Sequence, residues 1–300
     1  MIRIITDSVA SIPKEMADKL GIQVVTLFVN RDGVEYQDAT MDLDAFYEDI
    51  YDMIDDIPTS SQPSQAEFEA VFEEAAVAGD EVLGIFMSSK MSGTFDGALR
   101  CARAVAARHA GFKFAIVDST SNSFDEGLVV MEAVAARDAG KSLEGCVRVV
   151  EHAISCTRFL FTPESLTFLQ KGGRIGGAAA LLGNLIQLAP VLTVRDSEAT
   201  TFAKVRTRKK ALDKIIAMLK EDMENHGLRD IVVHYIGDKT PAVEWARDVI
   251  EPLIGRKVHV LPVSPVIGLH VGPAVGIAYQ CVQTIAGKLT TSNVELTVTA

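Results

Sequence analysis

Short apolar runs alternate with helical periodicity through the first half of the chain. Residues 2–5, 22–29, 82–87 and 114–117 are apolar stretches of strand length. Apolar positions recur at helical spacing over 14–20, 43–54, 66–78, 94–108, 127–139 and 143–155. This alternation predicts a mostly parallel sheet with helices on both faces. Gly33, flanked by Val34 and Tyr36, predicts a small hairpin or an edge excursion.

The second half is patterned differently. Residues 159–161 form a short strand, and a helix runs on from Pro163 through Leu169. Residues 191–195 and 200–205 predict a hairpin with a loop of about four residues. An amphipathic helix is expected over 209–225. A βαβ-like unit follows over 231–236, 240–253 and 258–263, and a last helix over 271–286. Residues 290–300 are polar and β-branched, read as an edge strand or a tail. The fold class is therefore α/β with two domains. Residues 1–156 form a three-layer α/β/α domain with a mostly parallel sheet; residues 157–300 form an α/β domain with a mixed sheet. With 300 residues, the chain has ample length to bury two cores.

Charge and cysteine usage narrow the function classes. A formal net charge of −11 argues against general nucleic-acid binding, which needs basic surface. The four cysteines, Cys101, Cys146, Cys156 and Cys281, show no metal-ligand spacing and read as buried free thiols of a reducing compartment. No apolar stretch reaches membrane-spanning length, and the N-terminus enters a strand without a basic leader. The expected location is the cytoplasm.

The candidate chemistry lies where strands give way to helices. Residues 82–87 run into Ser88-Ser89-Lys90-Met91-Ser92-Gly93-Thr94, and a helix pattern starts at once. A Ser/Gly-rich loop at a helix start suits an anion, because first-turn N–H groups lack helical partners. Ser60 lies in a second hydroxyl cluster, Ser60-Ser61-Gln62-Pro63-Ser64. His270 stands in a third loop, Gly268-Leu269-His270-Val271-Gly272-Pro273, read as the start of a helix. Asp7 with Ser8, and Asp118 with Ser119, also end strands. They suit either a polar mouth or plain caps and turns. Ser60, Ser92 and His270, with Gly93 permitting close backbone approach, are expected to grip a carboxylate or phosphate. No Walker sequence, dinucleotide fingerprint or Gly-x-Ser-x-Gly elbow is present. Residues 176–190, GGAAALLGNLIQLAP, read as a buried helix or as the wall of an apolar tunnel. Arg174 and Arg206 sit in basic islands of an acidic chain, suited to a solvated face or to docking.

Seven stretches in order resemble the DegV family, the fatty-acid-binding carrier subunits of bacterial fatty acid kinase. They are TDS (6–8), SSQPS (60–64), SSKMSGT (88–94), VDS (117–119), LQKGGRI (169–175), KVRTRKKAL (204–212) and GLHVGPAVG (268–276). Ser60 stands where the family usually has Thr, and Asp125 near a usual glycine; Met91 and Phe95 replace the commoner Leu and Tyr. The resemblance implies a two-domain fold enclosing one fatty acid, such as palmitate, stearate or oleate. Its carboxylate would lie near Ser60, Ser92, Gly93 and His270. A separate ATP-dependent kinase subunit would phosphorylate it, with Arg174 and Arg206 available for docking. The carrier would have no metal, no cofactor and no catalysis of its own; transient membrane contact is compatible with this role. The alternatives are a stand-alone hydrolase or phosphoryl-transfer enzyme, and a sensor or transport module for another amphiphile.

Overall fold

The computed structural model describes residues 1–285 and 294–297, without the side chains of residues 182–187. The strands are β1 (Ile2–Asp7), β2 (Ile22–Val25), β3 (Phe28–Arg31), β4 (Val34–Gln37), β5 (Thr59–Ser61), β6 (Glu81–Phe86) and β7 (Phe114–Asp118). They continue with β8 (Thr157–Pro163), β9 (Ala189–Arg195), β10 (Glu198–Val205), β11 (Leu228–Ile236), β12 (His259–Pro262), β13 (Ala274–Cys281) and β14 (Val294–Leu296). The helices are α1 (Lys14–Leu20), α2 (Leu43–Asp49), α3 (Gln65–Val77), α4 (Thr94–Arg108), α5 (Ser123–Asp138) and α6 (Leu143–Cys156). After these come α7 (Thr167–Lys171), α8 (Arg208–His226), α9 (Thr240–Trp245), α10 (Glu251–Ile254) and α11 (Pro265–Val271).

The first sheet has the order β14-β7-β6-β1-β2, parallel except for β14, which runs antiparallel along β7. Alternation along each strand sends neighbours to opposite faces. Ile4, Leu83, Ile85, Ala115 and Val117 pack against α5 and α6. Ile5, Val82, Phe86, Phe114 and Ile116 pack against α3 and α4. Three layers result, as the alternating pattern predicts.

The second sheet, β10-β9-β8-β13-β11-β12, is mixed: β11 and β12 are parallel and the remaining pairs antiparallel. Its central strand β13 corrects the helix expected over 271–286. A fully buried strand shows no alternation, so its Ala, Gly and Val residues read equally well as a buried helix. Gly276 is required there, because a Cβ would lie 2.5 Å from the Leu160 carbonyl oxygen. The β9–β10 connection is the two residues Asp196-Ser197 rather than four, both with positive φ (52° and 66°), the geometry of a tight hairpin turn.

The run over 22–29 divides into β2 and β3, which join different sheets. A small antiparallel sheet, β4-β3-β5, thus leaves the first domain's layers. Its Val29, with Leu27 and with Phe46, Tyr47 and Ile50 on and beside α2, joins the core of the second sheet. Polar ties secure the overlap. The Tyr47 hydroxyl donates to the Val263 carbonyl, and buried Asp38 accepts from Ser264 Oγ and the Val266 N–H, each at 2.9 Å. Gly176–Gln187 winds as 3-10 turns. Ala178 and Leu181 point inward, whereas Gly176, Gly177, Ala179 and Ala180 are exposed, so this part is not the buried helix expected. Residues this small have little side chain to bury.

Candidate functional site

A cavity of about 270 Å³ opens between the first sheet's loops, the small sheet and the second sheet. Its apolar walls include Phe159 and Phe161 from β8, Val194 from β9, Tyr235 from β11, Val266 and Ile267 from α11, and Val275 from β13. Met87 and Met91 close the side toward the first domain. Among residues 176–181 none borders it; the side chains of 182–187, where the tunnel-wall reading also falls, lie outside the described residues.

Ser60, Ser92, Gly93, Arg174 and His270 all border this one cavity; Arg206 does not. Ser60 Oγ and His270 Nε2 are 2.9 Å apart, although 210 residues separate them in the chain. Local structure explains why Ser60 is available. Ser64, not Ser60, caps α3: its hydroxyl accepts from the Glu67 N–H while the Glu67 carboxylate accepts from the Ser64 N–H. Ser60 is left within β5, paired with Val29. It does not sit at the helix entry its sequence context suggests.

Ser92 partly fulfils the local reading. Its hydroxyl accepts from the Thr94 N–H at 3.3 Å and exchanges a bond with the Thr94 hydroxyl at 2.8 Å, just before Gly93 opens α4. A side chain at Gly93 would collide with the Gln62 amide. Gln62, Asn122 and His234 are further polar residues of the cavity. A lone His inside the apolar run at 231–236 was the available signal for His234.

His270 lies in the last turn of α11, not at a helix start. Its Nδ1 has no hydrogen-bond partner among the described residues, and Gly172 leaves room for the ring: a Cβ there would lie 2.5 Å from Nδ1. Burial, and then the Arg174 charge, push the imidazole down to about 4, so it is neutral at pH 7. Arg174 is exposed and bridges two loops, donating from Nε to the Met91 carbonyl (3.3 Å) and from a terminal nitrogen to the Gly172 carbonyl (2.7 Å). Arg206 is exposed just before the Thr207 cap of α8.

The strand-end acids serve a different purpose. Asp7 accepts from the Val9 and Met87 N–H groups at 3.0 and 2.9 Å, tying β1 to the end of β6. Asp118 accepts from Ser89 Oγ at 2.6 Å and from the Thr120 N–H at 2.8 Å. Neither carboxylate borders the cavity. Among the described residues no group of three or more His, Cys, Asp or Glu is placed to hold a metal, and no helix is long and apolar enough to cross a membrane.

This arrangement has close counterparts. The DegV family of uncharacterised proteins matches residues 1–281. A DegV domain-containing protein of Clostridium acetobutylicum is 38% identical over 284 residues, covering 93% of this chain and 97% of that one. A DegV family protein of Thermus thermophilus, described for its fatty acid binding, superposes with a TM-score of 0.83 at 31% identity, covering 93% of this chain and 99% of the other. A stearic-acid-binding protein of Eubacterium ventriosum superposes with a TM-score of 0.85 at 25% identity, covering 94% and 99%. The chain belongs to the DegV family.

Proposed function

We propose that this DegV-family chain binds one long-chain fatty acid and presents its carboxylate to a separate ATP-dependent kinase subunit, which forms an acyl phosphate. The observation that carries this reading is the Ser60–His270 pair, 2.9 Å apart, bordering a cavity with largely apolar walls. Relatives described as fatty-acid-binding proteins share the fold around it.

The hydrogen-bond direction follows from the ligand's charge. A carboxylate only accepts. Neutral His270 satisfies it through Ser60 when the imidazole proton sits on Nε2: Nε2–H donates to Ser60 Oγ, and the Ser60 hydroxyl donates onward to the carboxylate. The opposite tautomer would turn the Ser60 proton toward the ring. Ser92 and the backbone at Gly93 add donors, and the Arg174 guanidinium supplies positive charge at the entrance. The acyl chain contributes about 0.8 kcal/mol per buried methylene, so ten of them offset roughly 8 kcal/mol of binding costs. Phosphoryl transfer depends on positioning, which this chain provides for the attacking carboxylate, while nucleotide and metal come with the kinase. Ser60 and Ser92 are not nucleophiles in this reading. Arg206, and Arg174 through its exposed face, are the docking residues. Four unpaired cysteines suit a cytoplasmic site of action.

Organic extraction and mass spectrometry of the purified protein test the first half: about one acyl chain per monomer is expected of a single enclosed pocket. Lipid-free protein that binds neither added oleate nor palmitate overturns it. Acyl phosphate yield with a fatty acid kinase subunit tests the second half. Turnover of an ester or phosphate by this chain alone would favour the hydrolase alternative.

A further inference from the structure

The mouth residues leave part of the cavity's polarity without a role. Asn122 and His234 also line it, and they are 5% and 1% exposed. Asn122 immediately precedes α5, where an Asn side chain ordinarily accepts an N–H of the first turn. Here it makes no such bond. Its amide nitrogen donates to the Met91 sulfur at 3.1 Å, and its carbonyl oxygen has no partner among the described residues. The Met91 contact fixes which end of the amide is which, because the sulfur can only accept.

His234 is set by similar logic. Its Nδ1 lies 3.1 Å from the Leu261 carbonyl oxygen, so Nδ1 carries the proton. Nε2 is then an acceptor, 3.3 Å from Ser123 Oγ, and the Ser123 hydroxyl donates to it while keeping its lone pairs. The rings of Phe159 and Phe124 flank His234, with centroids 6.0 and 6.4 Å away. Asn122 thus puts an acceptor oxygen without a donor against the cavity, while the adjacent Ser123 engages His234, which also lines it. A buried acceptor without a donor is costly, and a methylene placed against it does not relieve the cost. A carboxylate does not suit the site either, since oxygen would face oxygen. A hydroxyl does, donating its proton to Asn122 Oδ1.

We propose that Asn122, with the Ser123–His234 pair beside it, forms a polar subsite for a hydroxyl borne on the bound acyl chain, making hydroxylated long-chain acids the favoured ligands. The inference rests on the fatty-acid reading above and names the ligand class within it. Sites built to hydrogen-bond a ligand group discriminate strongly against analogues that lack it.

The test is a set of dissociation constants for stearate and for hydroxystearates carrying the hydroxyl at different carbons, measured on lipid-stripped wild type and on Asn122→Leu. At least one positional isomer is expected to bind wild type roughly three- to tenfold tighter than stearate, and Asn122→Leu to abolish or invert that ratio. Ser123→Ala, which keeps the cavity volume nearly constant, should reduce it and serves if Asn122→Leu does not fold. Stearate binding with no isomer preferred, or a preference that survives both substitutions, overturns the subsite and leaves the fatty-acid reading standing. A wild type that binds neither stearate nor any hydroxystearate overturns both.

Discussion

Asp7 and Ser60 are both short polar residues whose sequence context suits a cap or a turn, yet the fold uses them in opposite ways. Asp7 is enclosed, and its carboxylate oxygens already accept from Val9 and Met87. Ser60 lies on the edge strand β5, with capping delegated to Ser64 and its hydroxyl reaching His270. Polar residue type therefore does not separate a site from a brace. What separates them is whether hydrogen-bonding capacity is used up inside the fold or left facing a cavity.

The sharpest way to break this contrast is Asp7→Ala. It strands two buried N–H groups, and urea unfolding should show a loss on the order of 2–5 kcal/mol. A loss under about 1 kcal/mol would mean that Asp7 is no brace. The opposite profile is expected of His270→Ala: stability close to wild type, fatty-acid affinity lower by about 0.5–1.5 kcal/mol, and acyl phosphate yield lowered further because the carboxylate is no longer aligned. Equal yields from wild type, Ser60→Ala, Ser92→Ala and His270→Ala would remove the assignment of the carboxylate site. Gly172→Ala asks the same question through space alone. The new methyl group lies 2.5 Å from Nδ1 and must displace the His270 ring, so affinity should fall with little change in melting temperature.

Titration provides a finer probe, because the two residues carry opposite signs. Burial pushes Asp7 up from 3.8 to about 7, so between these values the folded state holds the extra proton and stability is lost as pH rises. Burial, followed by the Arg174 charge, pushes His270 down from 6.5 to about 4, so there the unfolded chain holds the extra proton and stability is lost as pH falls. Each slope is at most about 1.4 kcal/mol per pH unit. Unfolding free energies from pH 4 to 7 should show Asp7→Asn flattening the first dependence and His270→Gln the second. Wild-type slopes in both variants would discard both charge assignments. The smallest stability effect belongs to Arg206→Ala, within about 0.5 kcal/mol for an exposed residue. It should leave lipid binding intact and lower the yield with the kinase. Collapse of lipid binding would place Arg206 in the fold or the pocket instead.

The chain's own order of residues determined what depends on near neighbours. Alternating strands and helices, the Ser64–Glu67 capping box, the Gly33 turn and the three-layer first domain all follow from side-chain periodicity and backbone preferences within a few residues. Ser92, too, keeps a bond within two residues of itself. Tertiary structure alone decided the rest. Strand β13 is buried on both faces, so its composition carries no period to distinguish strand from helix. Ser60 and His270 meet across 210 residues, and Asn122 and His234 become cavity polarity only once α5 packs against the second sheet. Whether Asp7 or Ser60 has a hydrogen bond to offer depends on partners far away in the chain, and only packing brings those partners near.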